Sequence, residues 1–440
     1  MMWAEFAVII IMMLIGAQWG GVFFGMAGAA GLMILMFVFH TAPTNPAIDV
    51  MLIMMSVVLA ASALQASGGM DVLIKKAEKM LRKHPSQITY FAPIVAWIFT
   101  FMAGTGNVLY NVLPVIAEVS KEAGVRPERP ISISVIASQH AVPASPISAA
   151  TVALAALLAP FGVTMLQIMS MVIPATFIGI MIGAFSVSKM GKELNEDPEY
   201  LDRVRKGMVQ DKTPEEQSKI ADTKEAKISV AIFLISALVV VLLGTFAWLR
   251  PEVTNAAGKV SRVNMTNMIE MVMLTSGGLM VAFCKANVNK IINGGVFRAG
   301  MMGIVTVFGL TWMSNSFLAQ NLAAIKQLSA GIVASTPSLF AVALFIVSAI
   351  THSQGATVAA LMPLGISLGI DPLYLAAIFP AVCGYFIIPS TGVLLAGVAF
   401  DTTGTTKIGR FVINHSFMRA GLVATFFGVV AGILIRNILY

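Results

Sequence analysis

The chain has 440 residues, of which 58% are hydrophobic and only 11% are charged. Soluble domains usually carry about 25% charged residues, so this composition excludes a water-soluble domain and indicates lipid as the solvent. The formal net charge of +7 does not indicate nucleic-acid binding, because the basic residues cluster beside apolar segments, where they face anionic lipid or set topology.

The apolar runs predict an all-α polytopic membrane protein. Runs 50–70, 228–249 and 372–400 contain no Asp, Glu, Lys or Arg, and each is long enough to cross a hydrocarbon core, which needs about 20 helical residues. The uncharged stretch 131–188 must hold two crossings, or one crossing and a re-entrant piece. These lengths predict roughly ten to twelve membrane segments. Outer-membrane strands would show short alternating segments instead.

The chain begins MMWAEF, without Lys or Arg, and no clear small-residue cleavage site follows. We therefore expect the first apolar run to be a retained membrane helix with a non-cytoplasmic N-terminus. Further on, residues 71–83 predict an amphipathic helix at the membrane interface. Its apolar face comprises Leu73, Ile74, Ala77, Met80 and Leu81. Residues 318–328 form a weaker counterpart later in the chain.

Two interrupted apolar segments follow in the first part of the chain. The first is AGTGNVLYNVLP, in which Gly106 and Pro114 are eight residues apart, and the second is HAVPASPIS, from His140 to Ser148. Glycine and proline interrupt helices, and inside a membrane the freed backbone groups need neighbours, water or a ligand.

A charged stretch then separates two apolar halves. Residues 189–227 hold ten of the 21 acidic and nine of the 28 basic residues of the chain. We interpret them as a solvent-exposed linker, a plain tether rather than a regulatory domain, between an N-terminal membrane repeat, 1–188, and a C-terminal one, 228–440.

The second half repeats the interruptions in the same order. HSQGATVAALMP again places a glycine, Gly355, eight residues before a proline, Pro363, and FIIPSTG follows at 386–392. Paired interruptions in two halves predict two inverted structural repeats with re-entrant or broken helices, and they mark the binding site of a transporter. The alternative is that the breaks are only flexible kinks.

The residues at these breaks suit an anionic ligand. Small residues let a ligand approach the backbone, hydroxyls and amides orient it, and half-helix N-termini attract carboxylates. Two such ends facing one cavity predict a short dianion as substrate. The candidate substrate-binding residues are Thr105, Gly106, Asn107, Ser145, Ser148, His352, Ser353, Gln354, Gly355, Thr357, Ser390 and Thr391.

Several other residues allow two interpretations each. His140 and His352 could carry a proton or be neutral hydrogen-bonding groups. Asp401 could have a transport role, by joining an ion site or steering substrate, or it could simply cap the turn that follows it. Arg126 and Arg129 could attract an anion or only set topology. The two cysteines, Cys284 and Cys383, are expected to be packed thiols, and no motif indicates a metal or a cofactor.

The motifs together resemble the Dcu family (DcuA/DcuB type) of anaerobic four-carbon dicarboxylate transporters. The resemblance rests on FMAGTGN, LPVIAEVSKEAGV, the RPIS that follows, ASPISAA, LMP and DTTGTTKIGRFVINHSF, and it covers nearly the whole chain. It implies a bacterial inner-membrane carrier of anaerobic metabolism with periplasmic termini, which exchanges fumarate, malate or aspartate for succinate. It also implies a role beside a membrane sensor kinase. The repeats and this analogy suggest an elevator-type or rocking carrier, for which a homodimer is plausible.

Two other functions are compatible with parts of the sequence. A proton- or sodium-coupled symporter of carboxylates or amino acids is the alternative carrier, although clustered intramembrane carboxylates are lacking. A membrane-embedded hydrolase would need Ser138 with His140, or His352 with Ser353, as a nucleophile and base. No nucleophile-elbow pattern supports it, so we expect a transporter and not an enzyme.

Overall fold

The computed structural model describes residues 1–19, 22–46, 48–83, 85–206, 223–254, 258, 260–389, 391–409 and 414–440. Within these ranges the structure describes the backbone alone at residues 14, 17, 18, 24, 50, 107, 110, 111, 299, 322 and 325–335.

All the regular secondary structure described in the first half is helical. Its helices are α1 Met2–Trp19, α2 Phe23–Phe39, α3 Ile48–Ala66, α4 Gly69–Leu81, α5 Ile88–Ala103, α6 Leu109–Glu122, α7 Glu128–Ala144, α8 Ala149–Leu158, α9 Met165–Val187 and, beyond the membrane helices, α10 Pro198–Arg205. Short 3₁₀ turns span Pro85–Gln87, Gly106–Val108, Ala159–Phe161 and Leu194–Glu196.

The second half adds one small antiparallel hairpin, β1 Glu252–Thr254 with β2 Val260–Arg262. Its helices are α11 Lys224–Thr245, α12 Met265–Phe283, α13 Val288–Asn293, α14 Gly295–Ser335, α15 Ser338–Thr351, α16 Gln354–Ser367, α17 Pro372–Ala377, α18 Gly392–Phe400 and α19 Phe417–Leu439. Further 3₁₀ segments span Ala247–Leu249 and Phe379–Phe386.

The described helices include seven that are long and apolar enough to cross a membrane, or eight if the bent pair α3 and α4 forms one span. Four shorter apolar helices accompany them: 2–13, 25–39, 338–351 and 372–386. The chain is thus a multi-pass, all-α membrane protein. The sequence count of ten to twelve segments corresponds to full spans and shorter helices taken together.

The two halves place their helix breaks in the same order. The first break separates α5 from α6 and its counterpart separates α15 from α16, with Pro114 inside α6 and Pro363 inside α16. Both preceding helices end on a residue in the left-handed region, Gly104 with φ 67° and His352 with φ 51°. A left-handed residue turns the chain out of a right-handed helix, so the same local device produces both breaks.

The helices pack in two groups. One contains α1, α2, α3, α11, α12 and α14, and the other is built around α5, α7, α9, α15, α19 and the 3₁₀ segment Phe379–Phe386. Contacts between the groups include those of α16 with α14 and of α8 with α3. The helices α8 and α16, which each follow a break, therefore lie where the two groups meet.

The helix α4 has the predicted amphipathic character. It bends away from α3 by 71° and buries Leu73, Ile74, Ala77 and Leu81, while the lysines are exposed. Met80 lies on the exposed side instead, with 39% of its surface accessible. The counterpart at 318–328 is not a separate element but continues α14, and the side chains at 322 and 325–328 lie outside the described residues.

The first part of the charged stretch is docked on the membrane helices. Leu194 and Asp197 are buried, and α10 follows with Asp197 as its N-cap. Residues 207–222 lie outside the description, and the boundaries 1–188, 189–227 and 228–440 stay predictions.

Candidate functional site

The two breaks of the first half lie against each other. The Ser145 hydroxyl, at the end of α7, donates a hydrogen bond of 2.7 Å to the carbonyl oxygen of Phe101 in α5. A Cβ added to Gly104 would lie 3.0 Å from the carbonyl oxygen of Ile147. Glycine at 104 thus permits both the left-handed turn and the close approach of the 145–148 loop.

Ser148 has a local structural role. Its side chain accepts a hydrogen bond of 3.2 Å from the backbone N–H of Thr151, which caps α8, and the two hydroxyls are 2.8 Å apart. Ser148 and Ser145 are both fully buried. These two predicted binding residues therefore have partners inside the chain and hold the break in shape.

The break between α15 and α16 is built similarly. Ser353 caps α16 by accepting a hydrogen bond of 3.2 Å from the backbone N–H of Ala356. The Thr357 hydroxyl donates to the carbonyl oxygen of Ser353 at 2.8 Å and lies 2.9 Å from the Thr351 hydroxyl. Helix geometry leaves the first N–H groups of α16 without carbonyl partners within the helix, so this end favours an anion.

Two buried polar atoms at the second-half breaks have no hydrogen-bond partner among the described residues. The His352 ring faces the backbone of Ile350 and Ile388, but its Nε2 has no hydrogen-bond partner. The contact with Ile388 places the 352–353 break beside the start of α18. There the Thr391 hydroxyl is buried and equally unpartnered. Buried polar atoms are normally hydrogen-bonded, so these two are candidates for ligand contact.

The breaks of the two halves meet at the middle of α7. Ser138 accepts a hydrogen bond of 2.9 Å from Thr100, and a Cβ added to Gly106 would lie 3.2 Å from the Ser138 hydroxyl. From the other half, Nε2 of Gln354 donates to the carbonyl oxygen of Gln139 at 2.8 Å. Ser138 and Gln139 are adjacent in α7. Ser138 therefore lies against the break between α5 and α6, and Gln139 against the break between α15 and α16.

Gln139 was absent from the residues predicted by sequence. Its side chain is buried, with the residue only 4% exposed, and neither Oε1 nor Nε2 has a hydrogen-bond partner in the described structure. The sequence does offer one indication, because burying an amide within the uncharged run 131–188 is costly unless the amide has a hydrogen-bond partner or a ligand. The sequence instead drew attention to its neighbours, Ser138 and His140.

The other predicted site residues are dispersed around this centre. Thr105 lies in the bend after α5. Gly355 contacts the first helix group, because a Cβ added there would lie 3.3 Å from the methyl group of Met54 in α3. The Asn107 side chain and all of Ser390 lie outside the described residues.

The structure does not pair Ser138 with His140. His140 is buried, and its Nδ1 lies 3.0 Å from the carbonyl oxygen of Ile136 and its Nε2 lies 3.2 Å from the Thr425 hydroxyl. Ser138 interacts with Thr100 instead. Both ring nitrogens of His140 therefore have hydrogen-bonding partners inside the chain.

Arg126 and Arg129 bind the charged stretch and are not directed at the breaks. Arg126 donates to Glu128 at 2.6 Å and forms a second ion pair with Asp197. Arg129 donates to Glu193 at 2.9 Å and to the backbone carbonyl of Met190 at 2.8 Å. The two arginines therefore serve as anchors, a third role besides attracting an anion and setting topology.

The charge of Asp197 is stabilised by these contacts. Burial disfavours the carboxylate, but the backbone N–H of Tyr200, the Arg126 guanidinium and the backbone N–H of Glu199 outweigh burial. Together they hold the pKa of Asp197 below its ordinary value.

The described residues contain no group of three or more His, Cys, Asp or Glu side chains that could hold a metal ion. Cys284 and Cys383 are both free and buried. Cys383 accepts a hydrogen bond of 3.3 Å from Nε2 of Gln354, so it packs at the meeting point of the breaks.

The fold belongs to a class of membrane transporters. It is similar to the YdaH transporter of Alcanivorax borkumensis, with a TM-score of 0.55 and 16% identity over 93% of this chain and 90% of that one. It is also similar to MtrF of Neisseria gonorrhoeae, described among antimetabolite efflux pumps, with a TM-score of 0.51 and 14% identity over 93% of this chain and 85% of that one. At these identities the likeness concerns the fold alone.

The sequence defines the family more closely. A family profile described as "Anaerobic c4-dicarboxylate membrane transporter" matches residues 1–440. The C4-dicarboxylate transporter DcuA of Wolinella succinogenes is 39% identical over 99% of both chains. DcuA of Escherichia coli K12 is 37% identical, over 98% of this chain and 99% of its own. DcuB of Escherichia coli O6:H1 is 38% identical over 97% of both chains. The chain belongs to the DcuA/DcuB family of C4-dicarboxylate membrane transporters, and it is not an enzyme.

Proposed function

We propose that this protein exchanges four-carbon dicarboxylates across the bacterial inner membrane, taking up fumarate, malate or aspartate against succinate. The family supports transport of this substrate class. The observation that carries the site is the convergence of both broken helices on Ser138 and Gln139, where unpartnered buried polar atoms remain. In this proposal one carboxylate lies at each break, and both termini are periplasmic.

The ends of the broken helices can bind a dianion reversibly, because they offer hydrogen-bond donors but no fixed positive charge. The N-terminus of α16 offers backbone N–H groups, and His352 and Thr391 offer further polar atoms beside it. A site of neutral donors binds a dianion less tightly than buried arginines would. Moderate affinity lets a carrier release its substrate on each side.

The two helix groups support an elevator-type movement. The substrate-contacting breaks belong to the group around α7, whereas α1, α2, α3, α11, α12 and α14 form the other group. The amphipathic α4 contacts α3 and α11 on one side and α5 and α6 on the other. We propose that α4 is the arm at the membrane surface that links a static group to a moving one.

The test is counterflow in proteoliposomes. Vesicles loaded with succinate and empty vesicles are given labelled fumarate or aspartate, with and without a sodium gradient. We expect uptake only with internal dicarboxylate and no effect of sodium. Gln354→Ala removes the contact between the halves and should reduce uptake at least about tenfold, since that hydrogen bond is buried.

Thr176→Val is the matched control, because the buried Thr176 hydroxyl bonds only to carbonyls of its own helix, α9. It should transport normally. Uptake that ignores internal dicarboxylate and follows sodium or protons would replace exchange with symport. Normal exchange by Gln354→Ala would preserve the function and refute the site.

A further inference from the structure

Gln139 is the most poorly satisfied polar side chain at the meeting point of the breaks. Three other buried polar residues of α7 have partners: Ser132 donates to the carbonyl oxygen of Arg129, and Ser138 and His140 are hydrogen-bonded as described above. Ser134 also lacks a partner but has only a single hydroxyl. Gln139 leaves a whole amide, donors and acceptor, without partners.

Leaving both ends of an amide buried and unpaired is costly. A buried donor or acceptor without a partner has lost its hydrogen bonds to water without replacement, whereas an apolar side chain of similar shape would incur no such cost. The protein nevertheless fixes the backbone of Gln139 firmly, since its carbonyl oxygen accepts from Gln354. A fixed backbone with an unsatisfied side chain is the arrangement expected of a group that waits for a ligand.

The neighbours of Gln139 indicate which part of the substrate it would contact. Ser138 lies beside the Gly106 break, and the backbone of Gln139 contacts the first residue of α16. The proposed substrate, with one carboxylate at each break, would therefore place the two carbons between its carboxylates beside Gln139. These carbons carry the groups that distinguish the substrates.

The chemistry of the amide then ranks the substrates. Nε2 donates and can satisfy a carboxylate, but Oε1 only accepts. Fumarate and succinate have no donor for Oε1. A C2 hydroxyl or a C2 ammonium group, as in malate and aspartate, donates to it.

We propose that Gln139 contacts the substrate and selects four-carbon dicarboxylates that carry a hydrogen-bond donor at C2 over those that carry none. This inference rests on the proposed exchange of dicarboxylates at the paired breaks. It adds a basis for preferring aspartate and malate as the incoming substrates and succinate as the outgoing one.

Two variants test the proposal in opposite directions. Gln139→Met keeps the length of the side chain and removes both the donor and the acceptor, so KM for aspartate and malate should rise about tenfold more than KM for fumarate and succinate, which lose the donor alone. Gln139→Glu keeps an acceptor and adds a negative charge. It should weaken fumarate and succinate most, so that the ratio of aspartate to succinate uptake rises about tenfold.

Uptake of all four labelled dicarboxylates is measured into succinate-loaded proteoliposomes for wild type, both variants and the Thr176→Val control. Equal losses for all four substrates would show a structural role and overturn the proposal, as would unchanged kinetics in both variants. Failure of wild-type vesicles to exchange any dicarboxylate would instead refute the proposed function, so the two failures are distinguishable.

Discussion

At the scale of single residues, Asp401 shows how a buried charge can be satisfied entirely by its own loop. Its Oδ1 accepts from the backbone N–H of Thr403 at 2.9 Å and from the hydroxyl of the same residue. Its Oδ2 accepts from the Thr405 hydroxyl at 2.8 Å and from the backbone N–H of Thr406 at 2.6 Å. Of the two interpretations that the sequence allowed, the structure supports the capping of the following turn.

Asp401→Ala should therefore destabilise the protein by about 2 kcal/mol, because buried N–H groups and hydroxyls lose their acceptor. Asp49→Ala is the control, since Asp49 is an exposed carboxylate in the first turn of α3. Thermal unfolding in detergent measures both. Equal melting temperatures for the two variants would contradict the role of Asp401 as a structural cap.

At the scale of elements, the sequence predicts where the helices break but not what the breaks contact. Gly106 and Gly355 lie within three residues of the left-handed residues that end α5 and α15, so they mark the two main interruptions, whereas Pro114 and Pro363 lie inside α6 and α16 and interrupt neither helix. The left-handed conformation of His352 is not predictable in this way, since a histidine adopts it only when tertiary packing imposes it. The hydrogen bond from Gln354 to Gln139 joins residues 215 positions apart, and no local pattern encodes it.

A second element-scale feature that sequence did not predict is the crossing of α2 and α14. A Cβ added to Gly309 would overlap the carbonyl oxygen of Gly25, and one added to Gly28 would lie 2.6 Å from the carbonyl carbon of Gly309. The backbones are thus in direct contact. Small residues of this kind let membrane helices approach and pack through van der Waals contact.

Gly309→Ala should force α2 and α14 apart and cost about 3 kcal/mol, because the methyl group meets rigid backbone rather than a flexible side chain. Gly303→Ala on the same helix is the matched control. Its Cβ would lie 3.7 Å from the methyl group of Met54, an ordinary contact. Unfolding in detergent should show a lower melting temperature for Gly309→Ala alone. An unchanged value for both would show that the crossing is loosely packed.

At the scale of the whole molecule, the charged stretch joins parts of the two halves. Arg126 binds Asp197 and Glu128, and Glu128 accepts a hydrogen bond of 2.6 Å from Ser416 of the second half. Lys407 pairs with Glu199 at 2.7 Å. The sequence favoured a plain tether here, because a charged composition indicates exposure to solvent but does not show which distant residues form ion pairs. The described part, 189–206, is instead a docked segment that bridges α7 and residues 401–409.

This docking should depend on pH through Asp197. Its pKa is held below the ordinary value, so its contribution to stability is complete above that ordinary value and is lost as pH falls through the lower native pKa. Asp197→Asn keeps an oxygen that can cap α10 but removes the charge, and should cost about 1 kcal/mol near neutral pH because Arg126 retains Glu128.

The difference in melting temperature between wild type and Asp197→Asn should therefore be largest near neutral pH and vanish in strong acid. Asp202→Asn is the control on the same helix, because Asp202 forms only an exposed pair with Lys206, which contributes little. A difference that is independent of pH would show that Asp197 acts through shape and not through charge. The docked segment would then be held by Arg129, Leu194 and the backbone contacts, and not by the Arg126 ion pair.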